Sequence, residues 1–254
     1  MTTPTQFLTC LVALVASLGM SARAQRQLPP PELTEIWEPV PAVVSPTHGH
    51  RPPSDAVMLF NGTDLSEWRG RDGEPQWDVK DGIMTVRPGT GDLTTKRTFG
   101  NMQLHLEWRT PTKIVGEGQG RGNSGVFLME RYEVQVLDSW HNATYVNGQA
   151  ASLYKQHPPL VNASKRPGEW QTYDIIFTAP RFRGDGSVQR PATVTVIHNG
   201  VVVQNHTTVT GQTAFRGAPY YEAHASSMPL MLQDHRNLVS YRNIWVRELS
   251  VPTD

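Results

Sequence analysis

The sequence predicts an all-β protein built as an antiparallel sandwich of two sheets, and two hairpin signals with one absence carry that reading. His198-Asn199-Gly200 separates Val194-Thr195-Val196-Ile197 from Val201-Val202-Val203. Asn-Gly between β-rich runs is the strongest short-range hairpin signal, because both turn residues can take positive φ. Asp81-Gly82 does the same between Trp77-Asp78-Val79-Lys80 and Ile83-Met84-Thr85-Val86. No long amphipathic helix with caps occurs. Many short strands divided by Gly and Pro turns mean a sandwich or a barrel.

Further strands are expected at Gln103–Arg109, Ser124–Leu128, Tyr132–Leu137, Gln171–Thr178, Leu230–Gln233 and Tyr241–Glu248. Side chains alternate across a strand, so parity sorts them into core and surface. Leu104, Leu106 and Trp108 share one face, leaving His105, Glu107 and Arg109 on the other. Val134 and Val136 point inward, Glu133 and Gln135 outward; Leu230 and Leu232 go in, Gln233 and His235 out. Trp108 and Trp245 have core parity and read as packing. An ordinary solvated face would favour Lys, Glu and Thr, whereas this outward set hydrogen-bonds hydroxyls or handles protons.

The chain of 254 residues carries 23 basic and 23 acidic side chains, only five of them Lys. A zero balance excludes a polyanion partner, since phosphate binding needs a Lys/Arg surplus. At the front, the apolar run Phe7–Met20 followed by Ala22-Arg23-Ala24 reads as a secretory signal peptide over residues 1–24. The run is short for a membrane anchor, the competing reading. Cys10 lies in it, so the exported chain would hold no cysteine and could use neither a disulfide nor a thiol nucleophile. The product is expected to be periplasmic or secreted, with no membrane partner after cleavage. Residues 25–54 hold eight of the 20 prolines and read as a linker or N-terminal extension before a domain spanning 55–254. His48 and His50 lie in that segment without a nearby third metal ligand.

Glu133-Val134-Gln135-Val136-Leu137-Asp138 has the spacing by which jelly-roll glycosidases place two carboxylates about a glycosidic bond, a bulge returning the last acid to the face of the first. Here the middle acid is Gln135 and the last is shortened to Asp138, which argues against a glycosidase of the ordinary kind.

Val57-Met58-Leu59-Phe60-Asn61-Gly62-Thr63-Asp64-Leu65-Ser66-Glu67-Trp68, Gly122-Asn123-Ser124-Gly125-Val126-Phe127-Leu128, Tyr132 to Asp138, Leu232-Gln233-Asp234-His235 and Tyr241-Arg242-Asn243-Ile244-Trp245 occur in that order. This set resembles the 3-keto-disaccharide hydrolase family of exported bacterial proteins, over roughly Ala56 to Leu249. The resemblance implies a concanavalin A-like jelly roll and activity on glycosides oxidised to a ketone at C3. It implies no nicotinamide or flavin here, a separate oxidoreductase making the ketone.

A C3 ketone acidifies the C2 proton, so a base can form an enolate and the C1 substituent leaves by elimination, with hydration completing a formal hydrolysis. The route needs a base, an enolate stabiliser and an acid for the leaving group. Glu133 or Asp138 is the expected base, His235 or His157 the acid, and Arg109 the enolate holder. Gln135, Gln233 and Asn123 are expected on hydroxyls, with Glu107 on the same outward set. Trp140, beside Asp138, is the expected stacking platform. Asp234 has inward parity and reads equally as a structural carboxylate or a substrate ligand. Glycines 116, 118, 120 and 122 are expected to form a flexible loop beside the site, since no phosphate-loop Lys-Ser/Thr follows. Tyr154, Lys155 and His157 read as a second loop, more readily plain surface than site. A divalent cation such as calcium would find Asp64, Asp72 and Asp81, which lack EF-hand spacing; metal ligands are left unassigned. The rival functions are a non-catalytic carbohydrate-binding domain, which would tolerate loss of Glu133, and a conventional glycosidase, which would act on unoxidised substrate.

Overall fold

A computed structural model describes residues 28–250. The signal-peptide reading, Cys10 included, lies outside the described residues. No described helix is long and apolar enough to cross a membrane. The chain divides into two units, the first ending at Val43. The described part of the first, 28–43, holds one short 3-10 turn, Pro31–Thr34, and no strand. The last part of the Pro-rich segment, 44–54, belongs instead to the second unit.

The strands run β1 (Val57–Phe60), β2 (Trp68–Arg69), β3 (Asp78–Lys80), β4 (Ile83–Thr85), β5 (Leu93–Thr95), β6 (Met102–Arg109), β7 (Ser124–Leu128) and β8 (Tyr132–Val136). There follow β9 (Gln171–Thr178), β10 (Arg181–Phe182), β11 (Val188–Arg190), β12 (Thr193–His198), β13 (Val201–Thr208), β14 (Met231–Leu232) and β15 (Ser240–Glu248). The larger sheet has eight strands in the order β13-β12-β9-β6-β15-β4-β3, with β1 also on β15. The smaller has five, β2-β5-β14-β7-β8, while β10 and β11 form a separate ribbon. Pairing is antiparallel throughout, and the two sheets pack as an antiparallel β-sandwich.

Both expected hairpins form. Asn199 and Gly200 sit at φ 52° and 81°, Asp81 and Gly82 at 52° and 77°, as the tight primed turn requires. The alternation in β6, β8 and β14 places Leu104, Leu106, Trp108, Val134, Val136, Leu230 and Leu232 in the core. Two tyrosines tie the sheets together across it. Tyr173 of β9 donates to the Gln135 carbonyl at 2.8 Å, and Tyr241 of β15 donates to Ser124 Oγ at 2.7 Å. Ser124 in turn donates to the Gln233 carbonyl at 2.6 Å, so β7 and the end of β14 are fixed to each other and to the large sheet.

Parity fails at one core residue. Register shifts in β15 between Arg242 and Trp245, with Asn243 at φ 48°. That bulge turns Trp245 away from the core, onto the outer face, where it stacks on His105 at 5.1 Å. Its burial is complete all the same.

Candidate active site

A sandwich has two outer faces, one per sheet, and the small sheet's face holds a cleft. The pocket has a volume of about 660 Å³ and lies over β7, β8 and the residues after β14. In register, Gly125 faces Gln135 and Phe127 faces Glu133 across β7 and β8, while Phe127 faces Met231 across β7 and β14. The side chains of Phe127, Glu133, Gln135 and Gln233 therefore stand on the pocket floor.

β8 is the edge strand, and its open side is covered by chain from far along the sequence. Gln135 N–H donates to the Ser152 carbonyl at 3.0 Å, Ala151 N–H to the Gln135 carbonyl at 2.9 Å and Tyr154 N–H to the Glu133 carbonyl at 3.2 Å. Glu133 N–H donates to Thr213 Oγ1 at 2.9 Å. These bonds satisfy an edge that would otherwise be exposed and bring Tyr145, Tyr154, Thr213 and Phe215 to the wall. The opposite wall is the glycine-rich loop, whose short 3-10 turn Gly118–Gly120 presents Gln119 and Gly120.

Glu133 is 5% exposed, and its carboxyl has no hydrogen-bond or ion-pair partner among the described residues. Burial alone pushes it up to about 8. Room for the carboxyl comes from Gly125, where an added Cβ would lie 2.6 Å from Glu133 Oε1 and 2.8 Å from Phe127 Cε2. Around this group the polar side chains are already fixed. Gln135 Nε2 donates to Gln119 Oε1 at 2.9 Å, Gln119 Nε2 to the Gly148 carbonyl at 2.9 Å, and Asn123 Nδ2 to the Gln119 carbonyl at 2.6 Å. The Tyr145 and Tyr154 hydroxyls meet at 2.6 Å. One bond between two hydroxyls leaves one hydrogen for a ligand. Burial first, then the bond to Tyr145, raises the Tyr154 phenol, keeping it neutral. Lys155, at φ 58°, donates to the Phe215 carbonyl at 2.6 Å and lies 4.2 Å from the Phe215 ring centroid, pinning that aromatic lip.

Glu133 is the only carboxylate among the residues lining this pocket. The site is thus a partly apolar cleft with one unpaired, hard-to-ionise acid, an imidazole at His235 and a ring of amide and hydroxyl donors.

Residues 55–247 match the 3-keto-alpha-glucoside-1,2-lyase-like domain. The chain belongs to this family. A candidate glycosyl hydrolase from Parabacteroides distasonis ATCC 8503, known from its crystal structure, is 51% identical to it, covering 87% of this chain and 97% of its own with a TM-score of 0.83. A second such protein from that organism is 20% identical over 77% of this chain and 94% of its own, at a TM-score of 0.56, a likeness of fold. No curated protein matches the chain.

Of the expected site residues of this family member, Glu133, Gln135, Asn123, Gln233 and His235 come together in the pocket. The others do not. Arg109 and Glu107 lie on β6, on the outer face of the large sheet, so neither reaches the substrate pocket. Arg109 stacks on Trp170 at 4.6 Å and Glu107 bonds Arg242 and Asn243. Asp138 does not return to the face of Glu133, because β8 ends at Val136 and Asp138 pairs with Arg121 at 2.7 Å in a separate cavity. Trp140 lines no part of the pocket; its ring lies under Arg166, and its carbonyl accepts from Arg121. His157 donates its backbone N–H to the Leu153 carbonyl at 3.0 Å, with its Nε2 buried and unpartnered among the described residues. Asp234 is structural: Oδ2 accepts from the N–H groups of Gly89 and Gly91 at 2.7 and 3.0 Å, and Oδ1 from that of Arg236 at 2.8 Å.

Asp64 accepts from the Ser66 N–H, and Asp81 occupies a hairpin turn. No group of three His, Cys, Asp or Glu side chains among the described residues could hold a metal ion. The residues that parity did not supply are Gln119, Tyr145, Tyr154, Thr213 and Phe215, all from loops. One signal for the site was present: a glycine inside a strand marks a close approach, and Gly125 sits in β7 opposite Gln135.

Proposed function

We propose that the protein cleaves glycosides whose sugar carries a ketone at C3, by removal of the C2 proton and elimination of the C1 substituent. The observation that carries this reading is the single carboxylate of the pocket. Hydrolysis of an unactivated glycosidic bond by the usual routes needs two carboxyls, about 5–5.5 Å apart for retention or about 6.5–9.5 Å for inversion. A carbon acid beside a ketone needs one base. Glu133, unpaired and pushed up to about 8, is matched to a weakly acidic C–H better than an ordinary carboxylate is.

In this reading the ionised Glu133 takes the C2 proton and the electron pair moves toward the C3 oxygen. The enolate oxygen then receives hydrogen bonds from the pocket's donors, the Tyr145–Tyr154 hydroxyl pair among them, in the role first given to Arg109. As the enolate collapses, the bond from C1 to the leaving oxygen breaks and His235 supplies that oxygen's proton. Water adds to the resulting unsaturated ketone to complete the hydrolysis. Gln135, Asn123 and Gln233 orient the sugar hydroxyls, and Phe127 and Phe215 cover its apolar faces. The substrate is a carbohydrate, and export to the periplasm or beyond is part of the same proposal.

A substrate deuterated at C2 tests the mechanism. Slower turnover with the deuterated 3-keto glycoside supports proton removal at C2; with chemistry rate-limiting in single-turnover conditions, an isotope effect of unity contradicts it.

A further inference from the structure

The outer face of the large sheet carries a second cavity, of about 350 Å³, remote from Glu133. Its polar lining is His50, Arg51, Asn61, Arg242 and Asn243, with no carboxylate among the lining residues. Two guanidiniums, Arg51 and Arg242, share this cavity with the apolar side chains of Pro52 and Met58. The carboxylate beneath it is already used. Glu107 Oε2 accepts from Arg242 Nε at 2.7 Å, and Oε1 from Asn243 Nδ2 at 3.0 Å and from His50 Nδ1 at 3.1 Å. Burial opposes ionisation of Glu107, but these hydrogen bonds outweigh it and lower its pKa, so the acid stays charged.

The β15 bulge makes this clamp, since it sets both Arg242 and Asn243 against one residue of β6. With Nε tied to Glu107, the terminal nitrogens of Arg242 have no hydrogen-bond partner among the described residues. The same guanidinium lies 4.1 Å from the Trp170 ring centroid, and Arg109 lies 4.6 Å from that ring. Stacking and a tethered Nε hold the fork in place before any ligand arrives, which lowers the entropy cost of binding. Arg51 adds a second guanidinium with no side-chain hydrogen bond among the described residues.

We propose that this cavity binds a sugar acid, a monosaccharide bearing a carboxylate or phosphate. The free guanidinium edges of Arg242 and Arg51 fit the oxyanion. The Asn61 amide N–H groups, and the Asn243 Oδ1 whose own N–H groups are held by Glu107 and His105, fit hydroxyls. The volume lies within the range of small-molecule sites, and exceeds what a bare oxyanion fills.

The test is an NMR titration of the protein with D-glucuronate, glucose 6-phosphate, glucose and sodium sulfate. The reporter is the Trp170 indole N–H, assigned through Trp170→Phe. A saturable shift with either sugar acid and none with glucose is expected. Arg51→Gln, which removes no hydrogen bond from the fold, should weaken that binding about tenfold or more, equivalent to about 1.4 kcal/mol. Arg242→Lys keeps a charge against Glu107 but loses the fork, and should do the same. Arg51→Gln decides the matter if Arg242→Lys does not fold. Equal binding of glucose, sulfate as tight as both sugar acids, or an unchanged affinity in Arg51→Gln would overturn the proposal.

Discussion

Replacing Glu133 with Gln should make the protein more stable, and by an amount that depends on pH. The carboxyl has an ordinary pKa of 4.5 in the unfolded chain and about 8 in the fold, with burial as the cause. A folded pKa above the unfolded one means that folding takes up a proton between these values. The stability tied to this group is therefore fully present below about pH 4.5 and is lost as the pH rises through about 8. That span, at about 1.4 kcal/mol per pH unit, comes to about 5 kcal/mol as an upper bound. Gln has the same shape and no charge to desolvate. Urea unfolding of wild type and Glu133→Gln at intervals from pH 4 to 9 should give curves that differ little at the acid end. By pH 8 to 9 the variant should be ahead by about 2–5 kcal/mol. Catalysis should move the other way. The base must be ionised, so kcat/KM of the wild type should rise with pH and level off above about 8, and the variant should lose about 10²–10⁴-fold. A stability difference that stays flat across this pH range would refute the burial argument.

Gly125→Ala should push the Glu133 carboxyl and the Phe127 ring out of place, since its Cβ would lie 2.6 and 2.8 Å from them. The expected result is a stability loss of about 1–3 kcal/mol by urea unfolding, with kcat reduced more than stability alone explains. Asp138→Asn removes the only carboxylate paired with Arg121 among the described residues, leaving a guanidinium only 10% exposed with backbone carbonyls alone, and should cost about 3–5 kcal/mol in the same assay. Arg109→Gln should leave kcat/KM for a 3-keto glycoside within about twofold of wild type, because Arg109 lies on the other sheet's face. A loss of several hundredfold there would return Arg109 to the site.

The fold was legible because its signals are local. Asn199-Gly200 and Asp81-Gly82 dictate turns through their own backbone preferences, and the apolar alternation in β6 and β8 records which side of each strand faces the core. Parity carries no label for which sheet a strand joins. Arg109 and Glu133 both read as outward and both are, yet on opposite sides of the molecule. Asp138 was misplaced for a related reason: the expected bulge lies in β15 at Asn243, not in β8. The glycine-rich wall was expected, but the opposite wall was not legible, because Tyr154 and Thr213 reach β8 through edge hydrogen bonds from segments about 20 and 80 residues away. Glu133 and Gln135 were found because the alternation of β8 turns them outward, and Gln233 and His235 follow β14 onto the same side.

The central claim is that Glu133 serves a ketone-activated elimination. The most direct measurement is aglycone release by the protein from a 3-keto glucoside and from its unoxidised parent, side by side, with Glu133→Gln as the control. Release from the ketone alone, lost in the variant, is the predicted result. Release from the unoxidised glucoside at a comparable rate, or undiminished turnover by Glu133→Gln, would contradict it.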